Sequence, residues 1–486
     1  MAEDQSMEAV IGLEIHVQLQ TREKLFCADV VNFGAPPNTH VCPVCLGLPG
    51  ALPVLNREAV ALAIRTSLAF GCTVHRRSVF ARKNYFYPDL PKGYQISQFE
   101  EPLATGGQVP VRLEGEEVPH LVRIRRIHME EDAGKSIHDR FPEATAVDLN
   151  RTGTPLVEMV SEPDFRTPEQ VRAYLDQVKR TLEYLEVSDC NMEEGSLRVD
   201  ANVSIRPQGV TELGTKTELK NMNSFSNVEK ALRVEISRQI RLVAEGGQVE
   251  HQTLLWDERA GDVRPMRSKE ESHDYRYFPD PDLPALELSE AWIADLREGL
   301  PELPEERRRR FVSEYGLPEY DAGVLTAHRP LADYFEETVE QTDDPKESSN
   351  WLMGPILGLM KERDETAAEL PVRPKGLASL IELVDSAVVN RRVARQVLEK
   401  MAESGRGGAE APSAIVEEAG LAQISDAGQL QSWVEDALAA HPEEVARYRG
   451  GERRLQGFFM GEVMKRSRGK ADPGEVARIL GQALKG

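Results

Sequence analysis

The amino-terminal half of the chain alternates apolar with polar residues, which is the pattern of a β-strand buried on one face. The stretches "AVIGLEIHVQLQ" (9–20) and "GSLRVDANVSIRP" (195–207) both keep this period of two. Residues 168–186 and 226–245 instead follow the helical period. Strands interleaved with helices predict an α+β fold, with an antiparallel-sheet domain over residues 1–288.

The pattern changes after residue 288. Residues 289–404 keep a helical period without a good strand pattern, which predicts an all-α domain. The stretch "ESGRGGAEAPS" (403–413) is interpreted as a Gly-rich linker. Residues 413–486 are helical again and predict a small tail domain.

Composition narrows the class of protein. The 486 residues are 40% hydrophobic, enough for the cores of two to four domains. No stretch reaches 18 apolar residues, so no transmembrane helix is expected. The amino terminus is acidic and lacks an apolar signal core, which predicts a cytoplasmic protein without a membrane partner. Five cysteines in so long a chain argue against a disulfide scaffold.

The formal net charge of −22 argues against a free-standing RNA-binding protein, because affinity for nucleic acid comes largely from neutralised phosphates. Residues 441–486 are an exception, with ten Lys and Arg against six Asp and Glu, a local net charge of +4. The stretch "MKRSRGK" (464–470) concentrates that charge. Contact with nucleic acid is therefore expected through this basic region or through partner subunits.

The stretch "HMEEDAGKS" (128–136) ends like a phosphate-binding loop, but Met129 stands where the first glycine would be. The stretch instead carries three consecutive acidic residues, which are Glu130, Glu131 and Asp132. If the chain handles nucleotide phosphates, we expect it to do so through a carboxylate-held metal ion.

The first strand places Glu14, His16 and Gln18 on one side. Such a face is unusual for a core and is interpreted as either a functional or a solvated face. Glu158 lies inside the apolar run at 155–160, where a carboxylate needs a partner. It is therefore either a site residue or half of a structural ion pair.

Further ionisable residues come from separate stretches. Asp200 lies in "RVDANVS", Glu218 and Lys220 lie in "TELKN", and Lys135 closes the acidic stretch. Carboxylates with a histidine suit Mg²⁺ or Mn²⁺, and lysines beside such a metal suit phosphoryl transfer, where positioning and charge neutralisation dominate catalysis. Together these residues predict metal-dependent nucleotide chemistry without a phosphate-binding loop.

The stretch "KNYFYPDLPKGYQISQF" (83–99) brings aromatics, prolines and a glycine together. It is either an ordered functional loop, in which Lys83, Lys92 and Gln98 contact phosphate or RNA, or a packed aromatic turn. Its first part (83–91) resembles "DYRYFPDPDLP" (274–284), which indicates either an old duplication or two similar turns.

Cys42 and Cys45 form a "CPVC" knuckle of the kind that binds zinc. Cys27 is a third cysteine upstream, and Asp29 or His40 is a candidate fourth ligand. The alternatives are a structural zinc site and a vestigial knuckle.

Seven stretches together closely resemble the B subunits of bacterial glutamyl/aspartyl-tRNA amidotransferases. These stretches are "VIGLEIHVQLQT", "RKNYFYPDLPKGYQISQ", "HMEEDAGKS", "DLNRTGTPLVEMVSEPD", "MEEGSLRVDANVSIRP", "ELKNMNSF" and "YRYFPDPDLP". They run in this order from residue 10 to about 284, and the helical remainder, with "SNWLMG" (349–354), is similar as well.

The resemblance implies a ligase subunit that uses ATP and Mg²⁺ in a heterotrimer of protein biosynthesis. In this family, the B subunit is the one that binds misacylated tRNA(Gln) or tRNA(Asn) and phosphorylates the side-chain carboxylate of the attached amino acid. A separate amidase subunit releases ammonia from glutamine, ammonia displaces the phosphate, and a small third subunit joins the other two. The expected substrate is Glu-tRNA(Gln), Asp-tRNA(Asn) or both.

The resemblance also implies a fold and a site. The family's amino-terminal cradle domain is similar to glutamine synthetase and the guanido kinases, which hold ATP on an antiparallel sheet through metal-bound carboxylates. The residues implied as principal Mg²⁺ ligands are His16, Glu131 and Glu158. Those implied for a second metal or an ammonia-guiding cluster are Glu14 and Glu218, joined by Asp200 and Lys220. The lysines expected at the nucleotide are Lys83, Lys92 and Lys135.

Two further expectations follow from the resemblance. The carboxy-terminal segment is similar to the family's tail domain, which touches the body of the tRNA. Many relatives carry Cys-x-Cys before the knuckle, whereas here Asp29 stands in place of the second cysteine. The ligands expected for zinc are therefore Cys27, Cys42 and Cys45 with Asp29 or His40.

Two other functions fit parts of the sequence. A non-catalytic RNA-binding scaffold with a zinc knuckle has no need of the carboxylate set, and the charge of −22 disfavours it. A glutamine-synthetase-like ligase for a free amino acid has no need of a basic tail domain. The tRNA-dependent amidotransferase is therefore the leading hypothesis.

Overall fold

The computed structural model describes residues 6–485 apart from 114, 117, 142, 267–274, 423–426 and 468–470. The chain divides into two compact units, Met1–Pro304 and Glu305–Gly486. The end of the basic stretch at 464–470 and Asp274 of the aromatic repeat lie outside the described residues. No helix in the described part of the chain is long and apolar enough to cross a membrane.

The strands lie in the first unit. Their bounds are β1 (Met7–Gln18), β2 (Thr73–Val74), β3 (Arg77–Ser78), β4 (Phe80–Asn84), β5 (Tyr94–Gln98), β6 (Ala104–Thr105), β7 (Gln108–Val111), β8 (His120–Glu131), β9 (Lys135–Phe141), β10 (Ala144–Asp148), β11 (Pro155–Ser161), β12 (Leu197–Pro207), β13 (Thr217–Met222), β14 (Gln252–Asp257), β15 (Asp262–Pro265), β16 (Phe278–Pro279) and β17 (Leu286–Glu287).

Helices lie between some of these strands and make up most of the second unit. Those of the first unit are α1 (Arg57–Ala69), α2 (Pro168–Tyr184), α3 (Phe225–Ala244) and α4 (Glu290–Glu298). Those that follow are α5 (Pro304–Ser313), α6 (Glu319–Leu325), α7 (Arg329–Thr342), α8 (Pro345–Trp351), a π-helical turn (Leu352–Ile356), α9 (Leu357–Arg363), α10 (Pro374–Asp385), α11 (Arg391–Ser404), α12 (Ala411–Glu418), α13 (Ala427–Ala440), α14 (Pro442–Arg449), α15 (Leu455–Arg466) and α16 (Pro473–Ala483).

One large sheet dominates the first unit. Its strand order is β15-β14-β13-β12-β1-β11-β8-β6-β2, and β7 also pairs with β8. Strands β13 and β14 pair in parallel, whereas the other described pairs of this sheet are antiparallel. Helix α3 connects β13 to β14 and returns the chain to the same end of the sheet, which makes that pair parallel. The predicted antiparallel sheet is therefore a mixed sheet, within the predicted α+β class.

The large sheet buries one face and carries polar side chains on the other. Along β1, Glu14 and His16 alternate with residues that are at most 1% exposed, which are Ile11, Leu13, Ile15 and Val17. Helices α2 and α3 contribute to the same hydrophobic core as these residues. Burial of each such side chain stabilises the fold by roughly 1.5–3 kcal/mol, so a slip of one residue in register is strongly disfavoured.

Helices α2 and α3 of this core begin at capping residues. The Thr167 side chain accepts a hydrogen bond from the amide of Gln170, and the Gln170 side chain accepts one from the amide of Thr167, which forms a capping box before α2. The Ser224 side chain accepts from the amide of Asn227 at the start of α3. These caps fix where each helix starts and so aim its apolar stripe at the sheet.

The described chain after Glu287 is helical, as the sequence predicts. Helix α4 still belongs to the first core, because Ile293 and Leu296 pack there. The helices after it build two further hydrophobic clusters, one from Phe311 to Val416 and one from Leu430 to Leu484. The predicted domain bounds at 288 and 413 remain predictions.

The glycine-rich stretch at 403–413 is packed. Gly405 ends α11 with a φ of +68°, and the amide of Arg373 donates to the carbonyl of Gly407 at 3.0 Å. A Cβ atom at Gly407 would lie 1.8 Å from the carbonyl oxygen of Pro371, so a side chain does not fit there. Helix α12 follows at once and joins the second core. The stretch is thus a tight turn, which corrects its interpretation as a linker.

Candidate active site

Two histidines and two carboxylates meet in the middle of the polar face of the large sheet. The register places His16 of β1 opposite Glu158 of β11, and Glu158 opposite His128 of β8. Glu130 lies two residues further along β8 and so points to the same face. The Nε2 atom of His16 is 3.4 Å from an oxygen of Glu130 and 3.4 Å from an oxygen of Glu158. We call these four residues the His16 cluster.

The geometry of the His16 cluster fits a divalent cation. One ligand atom from each of His16, Glu130 and Glu158 lies within 4.8 Å of the others. Burial alone would lower the pKa of His16, but Glu158 and Glu130 raise that pKa to about 9. Burial alone would raise the pKa of Glu158, but His128 and His16 hold it well below its usual range. A proton on His16 thus offsets carboxylate charge that a metal ion would neutralise instead.

Glu131 does not join this cluster. Successive residues of a strand point to opposite faces, so Glu131 faces away from Glu130. Its carboxylate forms a buried ion pair with Lys92 and accepts a hydrogen bond from the amide of Ile96 at 2.9 Å. The structure therefore places Glu130, and not the Glu131 that the resemblance implied, beside His16 and Glu158. It also pairs Lys92, which was expected at the nucleotide, with Glu131.

The residues predicted for a second cluster do come together. The register places Glu14 opposite Asp200, and one oxygen from each of Glu14, Asp200 and Glu218 lies within 4.8 Å of the others. The Nζ atom of Lys220 is 2.7 Å from Asp200 and 3.0 Å from Glu218. Burial would lower the pKa of Lys220, but these two carboxylates raise it. We call these four residues the Glu14 cluster.

The two clusters are electrostatically coupled. Burial raises the pKa of Glu14, and the charges of Glu158, Glu218 and Asp200 raise it further. Because Glu158 belongs to the His16 cluster, its effect on Glu14 means that the clusters adjoin on one face. The arrangement can hold a cation at one end and accept a proton at the other.

Lys83 contributes a positive charge beside the His16 cluster. It lies on β4, and its Nζ atom is 4.9 Å from the centre of the Tyr275 ring and 5.9 Å from that of Tyr85. Burial would lower the pKa of Lys83, but the negative charges of Glu130 and Glu158 raise it. Of the three lysines predicted at the nucleotide, Lys83 is therefore the one that the structure brings to the cluster.

Lys135 belongs to neither cluster. It is exposed, it begins β9, and its register partner is Asp148 in the separate two-stranded sheet of β9 and β10. The two similar aromatic stretches, in contrast, are neighbours. Phe278 of β16 pairs with Arg82 of β4 in a three-stranded sheet with β5.

Sequence reasoning did not assign roles to several buried polar residues of this face. Asp132 is 3% exposed and accepts hydrogen bonds from Gln18 at 2.9 Å and from Arg198 at 2.8 Å. Burial would raise the pKa of Asp132, but Arg198 and Arg151 lower it. The available signal was the period of two in "HMEED", which puts the first, third and fifth residues on one side.

The predicted zinc ligands also gather. One ligand atom from each of Cys27, Asp29, Cys42 and Cys45 lies within 4.8 Å of the others. The Cys45 thiol donates to Asp29 at 3.3 Å, and the amide of Cys42 donates to the Cys45 sulfur at 3.1 Å. Three sulfurs and one carboxylate fit a tetrahedral zinc site. Asp29, rather than the alternative His40, is the residue whose potential ligand atom lies with the three sulfurs.

A buried lysine supports the cysteine group. Lys24 is 0% exposed, and its Nζ donates to the carbonyl of His40 at 2.7 Å and to the Cys45 sulfur at 3.7 Å. A hydrogen bond from Cys27 lowers the pKa of Cys45 to about 6 against the effect of burial, and the charge of Lys24 adds to this shift. The sequence signal for the buried position of Lys24 was its place at the start of the apolar stretch "KLFC".

Two family models and several curated relatives match this chain. The family model described as the GatB/GatE catalytic domain matches residues 9–294, and the one described as the GatB domain matches residues 333–484. Curated relatives, each named as the B subunit of an aspartyl/glutamyl-tRNA(Asn/Gln) amidotransferase, match over nearly the full length. The protein of Moorella thermoacetica is 52% identical over 479 residues, 98% of this chain and 99% of its own. The protein of Chlorobium chlorochromatii is 52% identical over 479 residues, which are 99% of each chain. The protein of Thermoanaerobacter pseudethanolicus is 50% identical over 477 residues, which are 98% of this chain and 99% of its own.

Proposed function

This chain belongs to the family of aspartyl/glutamyl-tRNA(Asn/Gln) amidotransferase B subunits, and on that premise we propose that its polar sheet face phosphorylates the side-chain carboxylate of a Glu or Asp attached to tRNA. The phosphoryl donor is ATP. Ammonia then converts the acyl phosphate to the amide. The substrate is Glu-tRNA(Gln), Asp-tRNA(Asn) or both.

The observation that carries this proposal is the pairing of two coupled clusters on one face. The His16 cluster offers a metal-ligand set, and the Glu14 cluster places Glu14, whose pKa is raised, together with Glu218, whose pKa is lowered. A non-catalytic scaffold gains nothing from burying so many ionisable side chains, since each costs desolvation. A face that handles charge during a reaction does need them.

The His16 cluster is the proposed phosphoryl-transfer end. His16, Glu130 and Glu158 would hold Mg²⁺, which would supply positive charge against the charge that develops during transfer. Lys83 lies beside these carboxylates and adds a positive charge at the same place. A carboxylate oxygen of the attached amino acid attacks the terminal phosphorus of ATP, and ADP leaves with the electron pair of the broken bond.

The Glu14 cluster is the proposed amidation end. The ammonia nitrogen attacks the carbonyl carbon of the acyl phosphate, inorganic phosphate leaves, and a proton leaves the nitrogen. Glu14 is the carboxylate suited to accept that proton, because its pKa is raised while that of Glu218 is lowered by Lys220 against the effect of burial. Lys220 holds Asp200 and Glu218 in place through two short contacts.

The proposal includes partners and a structural metal. Ammonia comes from a separate amidase subunit, since this sequence shows no Ser/Lys amidase signature, and the heterotrimer is completed by a small third subunit. The basic carboxy-terminal region contacts the body of the tRNA. A structural Zn²⁺ is held by Cys27, Asp29, Cys42 and Cys45.

Trapping the intermediate tests this function. The assembled complex is given misacylated tRNA, ATP and Mg²⁺ in the presence of hydroxylamine and no ammonia source. We expect the wild type to form the tRNA-linked hydroxamate and an equal amount of ADP, and the Glu130→Gln variant to form neither above background. A side-chain hydroxamate still linked to tRNA that forms without ATP, or at wild-type rates with Glu130→Gln, would show that this face does not phosphorylate the substrate.

A further inference from the structure

Two of the three cysteines in the cysteine group border a cavity. Cys27 and Cys45 line this cavity of about 280 Å³, which is partly open to solvent, whereas Cys42 is not among the described residues that line it. A water molecule takes roughly 30 Å³ of liquid volume, so a molecule as small as hydrogen peroxide has room there. The cavity therefore gives a small oxidant access to Cys45, a residue that is only 3% exposed.

Cys27 and Cys45 also face each other, because their sulfur atoms are hydrogen-bond partners. Cys42 contacts Cys45 through its backbone instead. Its amide donates to the Cys45 sulfur at 3.1 Å, and its carbonyl accepts from the Cys45 thiol at 3.4 Å. Redox-sensitive cysteines typically lie beside a second cysteine that resolves the oxidised sulfur. Cys27 is the cysteine placed to do this for Cys45.

The Cys45 sulfur is the one placed to attack an oxidant. The Nζ atom of Lys24 lies 3.7 Å from it, and the amide of Cys42 donates to it at 3.1 Å. Both groups stabilise negative charge on the sulfur, and the thiolate is the form of cysteine that acts as a nucleophile. Lys24 is 0% exposed and also donates to the carbonyl of His40 at 2.7 Å, so its charge is held beside Cys45.

The backbone that carries these cysteines can adjust when the two sulfurs approach each other. All of residues 19–56 are described, and between β1 and α1 they contain a single isolated bridge, from Glu23 to Val30, and no longer strand or helix. The ligand atoms of Cys27 and Cys45 already lie within 4.8 Å of each other. A disulfide bond needs about 2 Å, so small movements of side chains and turns close the gap.

From these observations we propose that Cys27 and Cys45 are a site of reversible oxidation, at which hydrogen peroxide closes a disulfide and releases the zinc ion proposed above. The zinc ligand set includes both sulfurs, and a thiolate that enters a disulfide no longer binds metal. The inference goes beyond the proposed phosphorylation and amidation, because it uses no residue of the polar sheet face.

The oxidation takes two steps. The Cys45 sulfur attacks one oxygen of hydrogen peroxide, the O–O bond breaks, and the hydroxide that leaves takes up a thiol proton to become water. The Cys27 sulfur then attacks the sulfur of the sulfenic acid, the S–O bond breaks, and a second hydroxide leaves as water in the same way. The two sulfurs lose two electrons in total, and peroxide gains them.

The test is peptide mapping by mass spectrometry of the assembled complex, treated with hydrogen peroxide and then alkylated. We expect a disulfide between Cys27 and Cys45, loss of two of the five thiols of this chain, and recovery of both with a dithiol reductant. Cys72 and Cys190 should remain alkylated thiols, since burial raises the pKa of each to about 12. A chromogenic chelator should detect zinc as the disulfide forms.

Two variants form a matched pair. Cys27→Ser and Cys42→Ser each remove one half-buried cysteine from the same ligand set, so both should weaken zinc binding alike. Only Cys27→Ser should abolish the disulfide, because Cys42→Ser leaves the pair of Cys27 and Cys45 intact.

Several results would overturn the inference. A wild-type disulfide mainly between Cys42 and Cys45 would mean that the wrong pair was assigned. Oxidation spread equally over Cys72 and Cys190, or the formation of sulfinic acid without any disulfide, would mean that no specific pair exists. Zinc that stays bound after the disulfide forms would contradict the release. If the chain holds no zinc at all, the zinc proposal fails by itself, and the peptide map still decides whether Cys27 and Cys45 pair.

Discussion

A difference of one residue position decides which of two adjacent carboxylates faces the candidate site. Glu130 and Glu131 follow each other in the sequence, yet one faces the His16 cluster and the other a buried lysine. The sequence predicts that the acidic stretch belongs to a site. It does not predict which carboxylate faces the site, because that depends on the phase of β8 relative to its neighbours.

Replacing Glu131 should lower the free energy of unfolding more than replacing Glu130. Glu131→Gln leaves the ammonium of Lys92 buried without its partner, and breaking a buried pair in this way costs on the order of 3–5 kcal/mol. Glu130→Gln should cost less, because Glu158 still pairs with both histidines. The free energy of unfolding from urea titration, in the presence of chelator, measures both. Equal losses of unfolding free energy in the two variants would mean that the ion pair between Glu131 and Lys92 does not stabilise the fold.

His16 makes the stability of the metal-free chain depend on pH. Its pKa is about 9 in the folded chain against 6.5 for an unperturbed histidine. A raised pKa stabilises the fold fully below about pH 6.5, and that contribution disappears as the pH rises through about 9. The difference in unfolding free energy between wild type and His16→Gln should therefore shrink from pH 6 to pH 9.5. A constant difference for His16→Gln across this pH range would contradict the assignment.

For the secondary-structure elements, the sequence predicts individual strands and helices but does not predict which strands pair with each other. The alternation of "AVIGLEIHVQLQ" correctly gives β1 and the face that carries Glu14 and His16. The pairing of β1 with both β11 and β12 brings Glu158 and Asp200 to that face, and no local pattern encodes it. The parallel pair of β13 and β14 was missed for the same reason, since it depends on where α3 returns the chain.

The cysteine knuckle is the element whose metal content can be measured directly. Purified chain should carry about one zinc ion, because three thiolates and the Asp29 carboxylate complete a tetrahedral set. Changing both Cys42 and Cys45 to Ser should release it. Cys72→Ser is the control, since the Cys72 thiol donates to the carbonyl of Gly106 instead. Elemental analysis that finds well below one zinc per chain in unchelated protein would refute the site.

For the molecule as a whole, the sequence correctly predicts strands first and helices afterwards. It did not predict that the glycine-rich stretch packs against Pro371 or that α12 joins the second core. Close approach of glycine backbones cannot be read from composition, because the same residues make flexible linkers. The third hydrophobic cluster instead begins at Leu430.

Because the third cluster begins at Leu430, a deletion of residues 427–486 leaves the second core complete, whereas a deletion from residue 413 does not. Removing residues 427–486 takes away the third cluster and leaves Ile415 and Val416 in the second. We expect the truncated complex to bind ATP normally but to bind tRNA more weakly and with a shallower dependence on salt, because phosphate contacts are lost. Binding titrations at several salt concentrations measure this. Unchanged affinity and slope would exclude a tRNA contact by the tail.

The central claim is that the His16 cluster performs the step that precedes ammonia. The most direct measurement is the yield of amidated tRNA from the assembled complex carrying Glu130→Gln, given misacylated tRNA, ATP, Mg²⁺ and either glutamine or ammonium. Loss of one positioned electrostatic group should lower that yield on the order of 10²-fold or more. We expect the same loss with both nitrogen sources while glutamine hydrolysis persists, and wild-type yields from the exposed Glu290→Gln control. Near-normal amidation by Glu130→Gln with either source would contradict the account.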